Sequence, residues 1–529
     1  MKSRKVDKSE EEQRAEASQL ALAQWVCYSK LAPQAVISDS FKRLMRSLNP
    51  NISFKFETLE SNCLKLFEEE QLKVKDAFSK HGGQISLSVD VLYDQTQYQE
   101  YLCLSAQFID DDWKLRNWVI SYCCDNGEDM FLITEAILKS LKEYNIESKV
   151  LTLTVGGDTD LADVVKEGIH KEKLPMNSQL FHVQCGCDII SRMVQIGLEE
   201  IDKIIDKVKL LSWSKSLPLW YLTTFKLSEA LQLQEMGEFS SVKDDGFYEL
   251  PSKEEWEKVR NMCKISDRIY EIVERLFEQK RPTPNLFLPH FQEIRAYLNK
   301  ESSSSDEFVS FVAKKMLDFF NKYWDDTCLV LSSTAFLDPR YKMKFIEFCP
   351  SDSRGTTYLD NIRKVYDSYV MQCDQKEYVL SDSSSDSEDD EEEIEEEETE
   401  EGSETHAKKK PRDILENLSL LKEYCQAMES SENDKAQKTE FDMYLEEPIV
   451  PWKGNFSVLH WWKDNCTKYP QLSRMARDFL AIPMSVATSY DAYYTEQREP
   501  DSTLLSLKPG LMNALKCTRS WKLGAIKHK

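Results

Sequence analysis

The first 80 residues carry apolar side chains at the spacing of α-helices. The stretch QLALAQWVCYSKLA (19–32) has such a pattern, and LESNCLKLFEEEQLKVKDAFSK (59–80) has a clearer one. The apolar residues that share one face of the second helix are Leu59, Cys63, Leu66, Phe67, Val74, Ala77 and Phe78. We therefore predict that residues 1–80 form an N-terminal helical region.

Between residues 81 and 215 the pattern changes from helical to alternating. Three β-rich runs come first, at 85–94, 98–110 and 113–124, separated by short polar turns, and such runs predict an antiparallel meander. A helical stretch, MFLITEAILKSLKEY, follows, then a fourth strand at 148–157 and further helix to residue 212. Three strands, helix, strand and helix is the order of a ribonuclease-H-like core, although other α/β folds share it. The predicted fold class is α/β (α+β), with residues 81–215 as the first part of the core.

The next hundred residues have a helical pattern throughout. It runs from about 218 to 325 and includes EEWEKVRNMCKISDRIYEIVERLFEQK, which predicts a large all-helical insertion at 216–326 that can form its own bundle. The run CLVLSSTAFL (328–337) then has the composition of a buried strand. We therefore predict that residues 327–375 return to the sheet core.

Charge is distributed unevenly along the chain. The formal net charge is −24, and residues 382–404 hold 15 Asp and Glu with no Lys or Arg. This tract cannot bury enough apolar surface to fold, so we predict disorder at 376–412. The basic residues that directly follow the tract are Lys408, Lys409, Lys410 and Arg412. Exposed beside a disordered tract, they predict a nuclear-localisation signal, and the alternative is a solvated linker patch.

Several classes of function are excluded by missing motifs. The 14 cysteines form no C-x-x-C pair, and Glu10, Glu11 and Glu12 interrupt any signal peptide, so reduced intracellular thiols are expected. No apolar run is long enough to span a membrane, so a soluble protein is expected. The chain also lacks phosphate-binding loops, a nucleophile elbow and an H-E-x-x-H motif. We therefore predict no cofactor, no metal and no small-molecule substrate.

Aromatic residues are densest near the end of the chain, at 440–485. The residues there with the character of interface anchors are Trp461, Trp462, Tyr469, Leu472, Met475, Phe479 and Leu480. The last four fall on one face of a helix that Pro470 starts and Pro483 follows. The residues that fill its other, polar face are Ser473, Arg474, Arg477 and Asp478. The pattern predicts a dimer interface, and the alternative is that these side chains only pack the core of their own chain.

Several motifs in the chain resemble those of hAT-family transposases, and in particular of the domesticated plant group that carries BED zinc fingers. The motifs are YLEEP (444–448), WW (461–462), YP (469–470), LSRMA (472–476), AIP (481–483), FLDPRYK (336–342) and FIDDDWKL (108–115). The resemblance implies a ribonuclease-H-like core interrupted by a helical insertion, with a helical hAT dimerisation region at 413–525. It also implies a homodimer, or a heterodimer with related hAT proteins.

The resemblance also implies where catalytic acids belong. Family transposases cut DNA with three carboxylates that hold divalent metals. Asp90 matches the first acid, whereas Gly156 and Ser489 stand where the second and third belong. One carboxylate does not hold a metal pair, so the resemblance implies a relic site without catalysis. The alternative is that nearby acids, Asp158 or Asp160 together with Glu496, replace the lost ligands.

Three functions follow as hypotheses. The first is a domesticated, catalytically inactive hAT-like protein that acts in the nucleus as a dimeric DNA- or chromatin-associated regulator. Direct DNA reading is in doubt, because the sequence offers no C-x-x-C and His pair for a BED finger. The second is a protein-interaction module without DNA affinity, which pairs with BED-bearing relatives or binds basic partners through the acidic tract. The third is a residually active transposase or nuclease.

Overall fold

A computed structural model gives the architecture of most of the chain. The residues that the structure describes are 10–29, 32–48, 55–94, 98–125, 130–156, 160–169, 174, 180–212, 220–238, 249–277, 282–348, 355–380, 439–452, 456–486 and 501–523. The acidic tract, the basic cluster at 408–412 and Ser489 lie outside these ranges.

The N-terminal region is helical, as the sequence predicts. Its helices are α1 (Glu10–Tyr28), a 3-10 turn (Pro33–Ile37), α2 (Asp39–Leu48) and α3 (Phe56–Lys80). On α3 the buried residues are Leu59, Cys63, Leu66, Glu70, Val74 and Phe78, so the predicted apolar face is the one that packs inward.

One mixed sheet of five strands lies at the centre of the fold. Its strands are β1 (Ile85–Asp94), β2 (Gln99–Ile109), β3 (Leu115–Asp125), β4 (Val150–Val155) and β5 (His182–Gln184). Their order across the sheet is β3-β2-β1-β4-β5. The first three pair as an antiparallel meander, while β4 and β5 run parallel to β1. The predicted meander and fourth strand are confirmed.

The helices that follow the sheet strands are α4 (Met130–Tyr144), α5 (Leu161–Gly168), α6 (Gly186–Glu199) and α7 (Asp202–Ser212). The sequence pattern predicts only helix after β4, and this prediction is incomplete because β5 lies in that stretch. Three residues are too few to show the alternation that marks a strand.

The helical insertion is present, but its predicted end is wrong. Its helices are α8 (Trp220–Glu235), α9 (Lys253–Phe277), α10 (Phe287–Glu301) and α11 (Glu307–Phe336). The run at 328–337, predicted as a strand, is almost entirely the last third of α11. The boundary between 326 and 327 therefore falls inside a helix. A largely apolar run of ten residues fits a buried helix as well as a strand, and here eight of the ten positions, 330–337, are buried, which hides any amphipathic period.

The last part of the described chain is helical as well. Its helices are α12 (Lys342–Phe348), α13 (Gly355–Leu380), α14 (Glu440–Glu446), α15 (Val458–Asn465), α16 (Pro470–Phe479) and α17 (Pro509–Leu523). Strand residues contribute to two apolar cores, one shared with α1, α3, α4 and α17 and the other with α6 to α16.

Helix α17 closes one edge of the sheet. Strand β3 is the edge strand, and the side chains of α17 bond to its backbone. Asn513 Oδ1 accepts from the Tyr122 amide at 2.9 Å, Ser520 Oγ accepts from the Val119 amide at 2.8 Å, and Trp521 Nε1 donates to the Val119 carbonyl at 2.9 Å. Polar groups that an edge strand leaves open are thereby satisfied within the chain.

Within the described ranges, we find no helix with both the length and the apolar character that a membrane span requires.

Candidate functional site

The parallel pairing of β1, β4 and β5 ends along one line across the sheet, which we call the carboxyl edge, and β1 itself continues from there to Asp94. In the register of β1 and β4, Val89 lies opposite Val155, and Val155 in turn lies opposite Gln184 of β5. The next positions along β1 and β4 are Asp90 and Gly156. The structure therefore brings these two sequence-predicted positions side by side, at the place where ligands bind in many α/β folds.

The chain that leads towards Ser489 crosses the same edge. Thr154 Oγ1 donates to the Pro483 carbonyl at 2.6 Å, and the Gly186 amide donates to the Met484 carbonyl at 2.8 Å. Residues 483–486 are all buried there. The described segment thus approaches the Asp90–Gly156 edge and ends three residues before Ser489.

Cysteine and serine side chains fill the space beside β5. Ser485 Oγ lies 3.0 Å from Cys187 Sγ, and the Val486 amide donates to Cys185 Sγ at 3.4 Å. Both sulfurs are buried, and burial raises the pKa of Cys187 well above its ordinary value. Gly186 between them is tightly enclosed, since a Cβ there would lie 2.7 Å from Phe291 Cζ. A thiol whose pKa is raised by burial is a weak metal ligand and nucleophile, which favours a packing role for Cys187.

Carboxylates are sparse at the carboxyl edge. Among the residues that the structure describes, no three His, Cys, Asp or Glu side chains group closely enough to hold a metal ion. Asp160, one of the replacement acids considered above, is exposed just before α5. The other two, Asp158 and Glu496, fall in the undescribed parts of the chain.

The C-terminal aromatic block (440–485) docks onto the turn between α11 and α12. Trp462 Nε1 donates to the Leu337 carbonyl at 2.7 Å, and Tyr444 OH donates to the Phe336 carbonyl at 3.0 Å. The Val450 amide adds a third bond, to the Pro339 carbonyl at 3.0 Å. The FLDPRYK segment therefore holds the block through three of its backbone carbonyls. We call residues 336–342 the docking turn.

A buried ion pair organises the docking turn. Arg340 donates to Asp338 through Nε at 3.0 Å and Nη2 at 2.7 Å, and Asn285 Nδ2 donates to the same carboxylate at 2.7 Å. The Arg340 guanidinium lies 4.5 Å from the ring centre of Trp452 and 4.6 Å from that of Phe456. A buried charge needs such pairing, because removing one partner strands the other in an apolar site.

Lys342 joins the docking turn to α14. Its ammonium donates to the Tyr444 and Glu447 carbonyls and lies 4.3 Å from the centre of the Tyr444 ring. These carbonyls belong to the last turn and the C-cap of α14, where carbonyls lack intrahelical partners. Burial lowers the pKa of Lys342 to about 7. Lys342 thus acts as an internal C-terminal cap for α14.

The predicted dimerisation residues lie inside the chain. Trp462, Tyr469, Leu472, Met475, Phe479 and Leu480 are each 0% exposed, and Trp461 is half-buried with its ring stacked 6.3 Å from that of Tyr469. In this conformation the six buried side chains have no surface left for a partner. Packing within the same chain, the alternative considered above, describes the surroundings of these side chains in this conformation, and their role in a dimer stays a prediction.

Helix α16 is held to the sheet by its polar side. Asp478 accepts from the Gln84 amide at 2.8 Å and from Tyr369 OH at 2.9 Å, although its position on the helix suggested an exposed residue. Arg477 Nη2 donates to the Ile109 carbonyl at 3.1 Å and to Asp111 at 2.7 Å. Burial raises the pKa of Asp478 to about 6 despite these two donors.

Gly83 makes the contact with Asp478 possible. A Cβ on Gly83 would lie 2.6 Å from Asp478 Oδ1, whereas a Cβ on neighbouring Gly82 would meet nothing within 4 Å. We expect Gly83→Ala to lower the free energy of unfolding by about 1–3 kcal/mol, because the overlap displaces a buried, hydrogen-bonded carboxyl group. The thermal midpoint of the purified chain measures the effect. Gly82→Ala is the matched control, and equal midpoints for the two variants would contradict the contact.

Stability should depend on pH through Asp478. Between about pH 4 and pH 6 the folded chain holds a proton on Asp478 that the unfolded chain has released. The stability that this retained proton contributes is therefore fully present below about pH 4 and is lost as the pH rises through about 6. His81 acts in the opposite direction, because burial lowers its pKa to about 4.

Asp478→Asn removes the first of these dependences and keeps the second. We expect the thermal midpoint of the variant, relative to the unmodified chain, to rise between pH 4 and pH 7. Asp76→Asn at an exposed i,i+4 pair with Lys80 is the control and should show no trend. A relative midpoint for Asp478→Asn that stays constant across this range would count against the buried titration.

The residues that hold the docking turn and α16 were mostly missed from the sequence. Asp338, Arg340 and Lys342 entered only as letters of a resembling motif, and Asp478 was placed on the polar face of its helix. The one available signal was charge within apolar surroundings, since Asp338 and Arg340 directly follow a long apolar run.

Comparison with known protein families matches three parts of the chain. Residues 440–522 match the hAT family C-terminal dimerisation region, and residues 285–373 match the hAT-like transposase domain of RNase-H fold. Residues 91–181 match the ZBED1 RNase-like domain. These ranges contain the C-terminal block, the docking turn and four of the five strands in whole or in part.

Similar proteins align over most of the chain. One is the zinc finger BED domain-containing protein RICESLEEPER 2 of Oryza sativa subsp. japonica, 28% identical over 92% of this chain and 72% of its own length. Another is the zinc finger BED domain-containing protein DAYSLEEPER of Arabidopsis thaliana, 25% identical over 95% of this chain and 74% of its own. A putative AC transposase of Zea mays is 26% identical over 91% of this chain and 62% of its own.

Proposed function

We propose that this chain, which matches the dimerisation region and the RNase-H-like domain of hAT transposases, is a domesticated member of that family that acts as a regulator associated with DNA and does not cut it. It acts in the nucleus as a dimer associated with DNA or chromatin. No strand-transfer chemistry is assigned to it.

The observation that carries the proposal is Gly156. It stands beside Asp90 at the carboxyl edge, at the end of β4 where the resemblance places the second acid. Glycine offers no side-chain oxygen, and a two-metal site needs several carboxylates to neutralise and position its ions. Ser489, at the third position, has a hydroxyl in place of a carboxylate.

Dimerisation is supported by the match of residues 440–522 to the hAT dimerisation region. Nuclear localisation and chromatin association rest on the basic cluster at 408–412 and on the resemblance to BED zinc finger proteins and to a putative transposase. A stable monomer in sedimentation at micromolar concentration would remove the dimer from the proposal.

A cleavage assay tests the loss of chemistry. Purified protein incubated with DNA and Mg²⁺ or Mn²⁺ is expected to leave the strands intact, because Asp90 alone cannot hold a metal pair. Asp90→Ala should be indistinguishable from the unmodified chain. Metal-dependent cleavage that disappears in Asp90→Ala would instead establish a residually active nuclease.

A mobility-shift assay separates DNA association from the interaction-module alternative. We expect duplex binding at low salt that weakens steeply as salt rises, since phosphate contacts release counterions. The 15 acidic residues at 382–404 favour the alternative, a protein that holds basic partners without binding DNA. If the protein is a dimer but does not retard duplex DNA even at low salt, the interaction-module alternative is the correct one.

A further inference from the structure

Two buried cysteines meet between α1 and α3. Cys27 lies near the end of α1 and is 0% exposed, and Cys63 on α3 is 1% exposed. Both are free thiols, and their side chains are hydrogen-bonded to each other. Both belong to the apolar core that the sheet shares with the N-terminal helices. The structure thus holds two reduced sulfurs in direct contact, which is a precondition for a disulfide.

A buried guanidinium lies close to both sulfurs. Arg519 of α17 is 5% exposed, and its Nη2 donates to the Val26 carbonyl, next to Cys27, at 3.5 Å. Its Nη1 pairs with the Asp501 carboxylate at 3.3 Å, which fixes the side chain in place. A positive charge in apolar surroundings favours the thiolate form of a nearby cysteine. The junction of α1, α3 and α17 therefore supports thiol chemistry although it is buried.

The two thiols differ in how readily they lose a proton. The hydrogen bond from the Cys63 thiol lowers the pKa of Cys27 and, together with the charge of Arg519, outweighs the effect of burial. The same hydrogen bond, together with burial, raises the pKa of Cys63. Because the thiolate is the form that attacks an oxidant, Cys27 is the attacking sulfur, and Cys63 is the sulfur that resolves the product.

A gap between α1 and α3 gives a small oxidant a route towards the pair. It is wide enough for a water molecule and is lined by Leu22 of α1, by Leu59 and Asn62 of α3 and by the exposed Lys55. Leu59 lies one helical turn before Cys63 on the buried face of α3. Hydrogen peroxide has only two oxygen atoms and fits such a route, whereas a disulfide reagent such as oxidised glutathione does not.

We propose that Cys27 and Cys63 are a modification site, a dithiol that hydrogen peroxide converts into a disulfide linking α1 to α3. The Cys27 thiolate attacks one peroxide oxygen, the O–O bond breaks, and the leaving hydroxide takes the proton that Cys27 gave up. Cys27 is then a sulfenic acid. The Cys63 sulfur attacks the Cys27 sulfur, the S–O bond breaks, and the leaving hydroxide takes the Cys63 proton. The thiols lose two electrons, and peroxide gains them as it becomes two waters.

The disulfide changes how the N-terminal helices are held. It closes the chain from Cys27 to Cys63 into a covalent loop that contains α2. Closing a loop removes conformations mainly from the opened chain, so α1 separates from α3 less often when the pair is oxidised. Peroxide thus fixes α1 against the core reversibly. This inference depends neither on the proposed dimer nor on DNA association.

Peptide mapping of the full chain tests the site. The folded chain is treated with hydrogen peroxide, freed of peroxide with catalase, unfolded with N-ethylmaleimide and digested with trypsin without reduction. The tryptic peptides 15–30 and 56–65 contain Cys27 and Cys63 as their only cysteines. We expect these two peptides to be joined, at least about tenfold more abundantly than any other cross-link of either cysteine. Dithiothreitol should separate them.

Three variants make the result specific, and circular dichroism checks that each one folds. Cys63→Ala removes the resolving thiol, so Cys27 should accumulate as a sulfenic acid that dimedone traps on peptide 15–30. Cys27→Ala should give neither product. Cys263→Ala is the matched control and should leave the cross-link unchanged, because this buried cysteine of α9 is hydrogen-bonded to Ser228 and not to a thiol.

Two results would overturn the site. One is the recovery of peptides 15–30 and 56–65 mainly as maleimide adducts after peroxide treatment, because both thiols would then have stayed reduced. The other is dimedone labelling of Cys63→Ala that is no stronger than that of Cys27→Ala, because Cys27 would then not be the attacking sulfur. The peptide map uses the unmodified chain, so it decides the question even if a variant fails to fold.

Discussion

Asp338→Ala is expected to lower the stability of the C-terminal block by about 3–5 kcal/mol, because it leaves the Arg340 guanidinium buried without a counter-charge. The pair is almost completely enclosed, with side-chain exposures of 0% for Asp338 and 6% for Arg340. Asn285 also loses its acceptor. Since a chain of this size need not unfold in one step, hydrogen exchange of the amides in α14, α15 and α16 is the suitable measurement.

Two further variants make the Asp338 result specific. Glu199→Ala removes an ion pair with Arg192 in which both side chains are about half-exposed, and it should cost less than about 1 kcal/mol. The double variant Asp338→Leu, Arg340→Met should recover much of the loss, because it removes both charges together. Faster exchange in Glu199→Ala than in Asp338→Ala would show that the buried pair does not hold the docking turn.

Trp462→Ala is expected to destabilise the same block by about 3–5 kcal/mol, since it empties the space of a fully buried indole. The ring lies 5.3 Å from that of Tyr444 and 5.0 Å from that of Trp461, and its N–H bonds to the Leu337 carbonyl. Protection of α15 and α16 amides should therefore collapse while that of β1 and β2 persists, because the strands belong mainly to the other core.

Trp462→Phe separates the two contributions of the indole. Phenylalanine keeps most of the apolar contact but offers no N–H, so a loss of about 1–3 kcal/mol is expected from the unpaired carbonyl. Trp461→Ala, at the half-buried neighbour, is the positional control and should cost less than Trp462→Ala. If the order of these two alanine variants were reversed, the docking of Trp462 against the α11–α12 turn would be wrong.

Local pattern predicted the sheet and most helices because those elements alternate or repeat within a few residues. The meander at 85–124, the helix at 130–144 and the apolar face of α16 all follow from spacing alone. The same reasoning was wrong for the run at 328–337, because positions 330–337 are all buried, including the polar Ser332, Ser333 and Thr334, and no exposed polar face reveals the helical period. Strand β5 has only three residues, which are too few to show the alternating pattern by which a strand is predicted.

Contacts between parts of the chain that are far apart in sequence could not be predicted from local residue patterns. Trp462 meets Leu337 across 125 residues, and Asp478 meets Gln84 across 394. An interface anchor and a core anchor need the same apolar side chain, so composition could not tell that the aromatic block is buried in its own chain. The side-by-side position of Asp90 and Gly156, by contrast, follows once β1 and β4 are known to be parallel neighbours.

The way α17 covers β3 limits how this protein can be dissected. A truncation that removes residues 509–523 takes away the side chains that satisfy the Val119 and Tyr122 amides, and it uncovers an eleven-residue edge strand. Such an edge is a template for strand pairing between molecules. A chain shortened at this end should precipitate or form β-rich aggregates, whether or not the missing segment mediates a dimer. Loss of function in C-terminal deletions would thus report on aggregation before it reports on any partner.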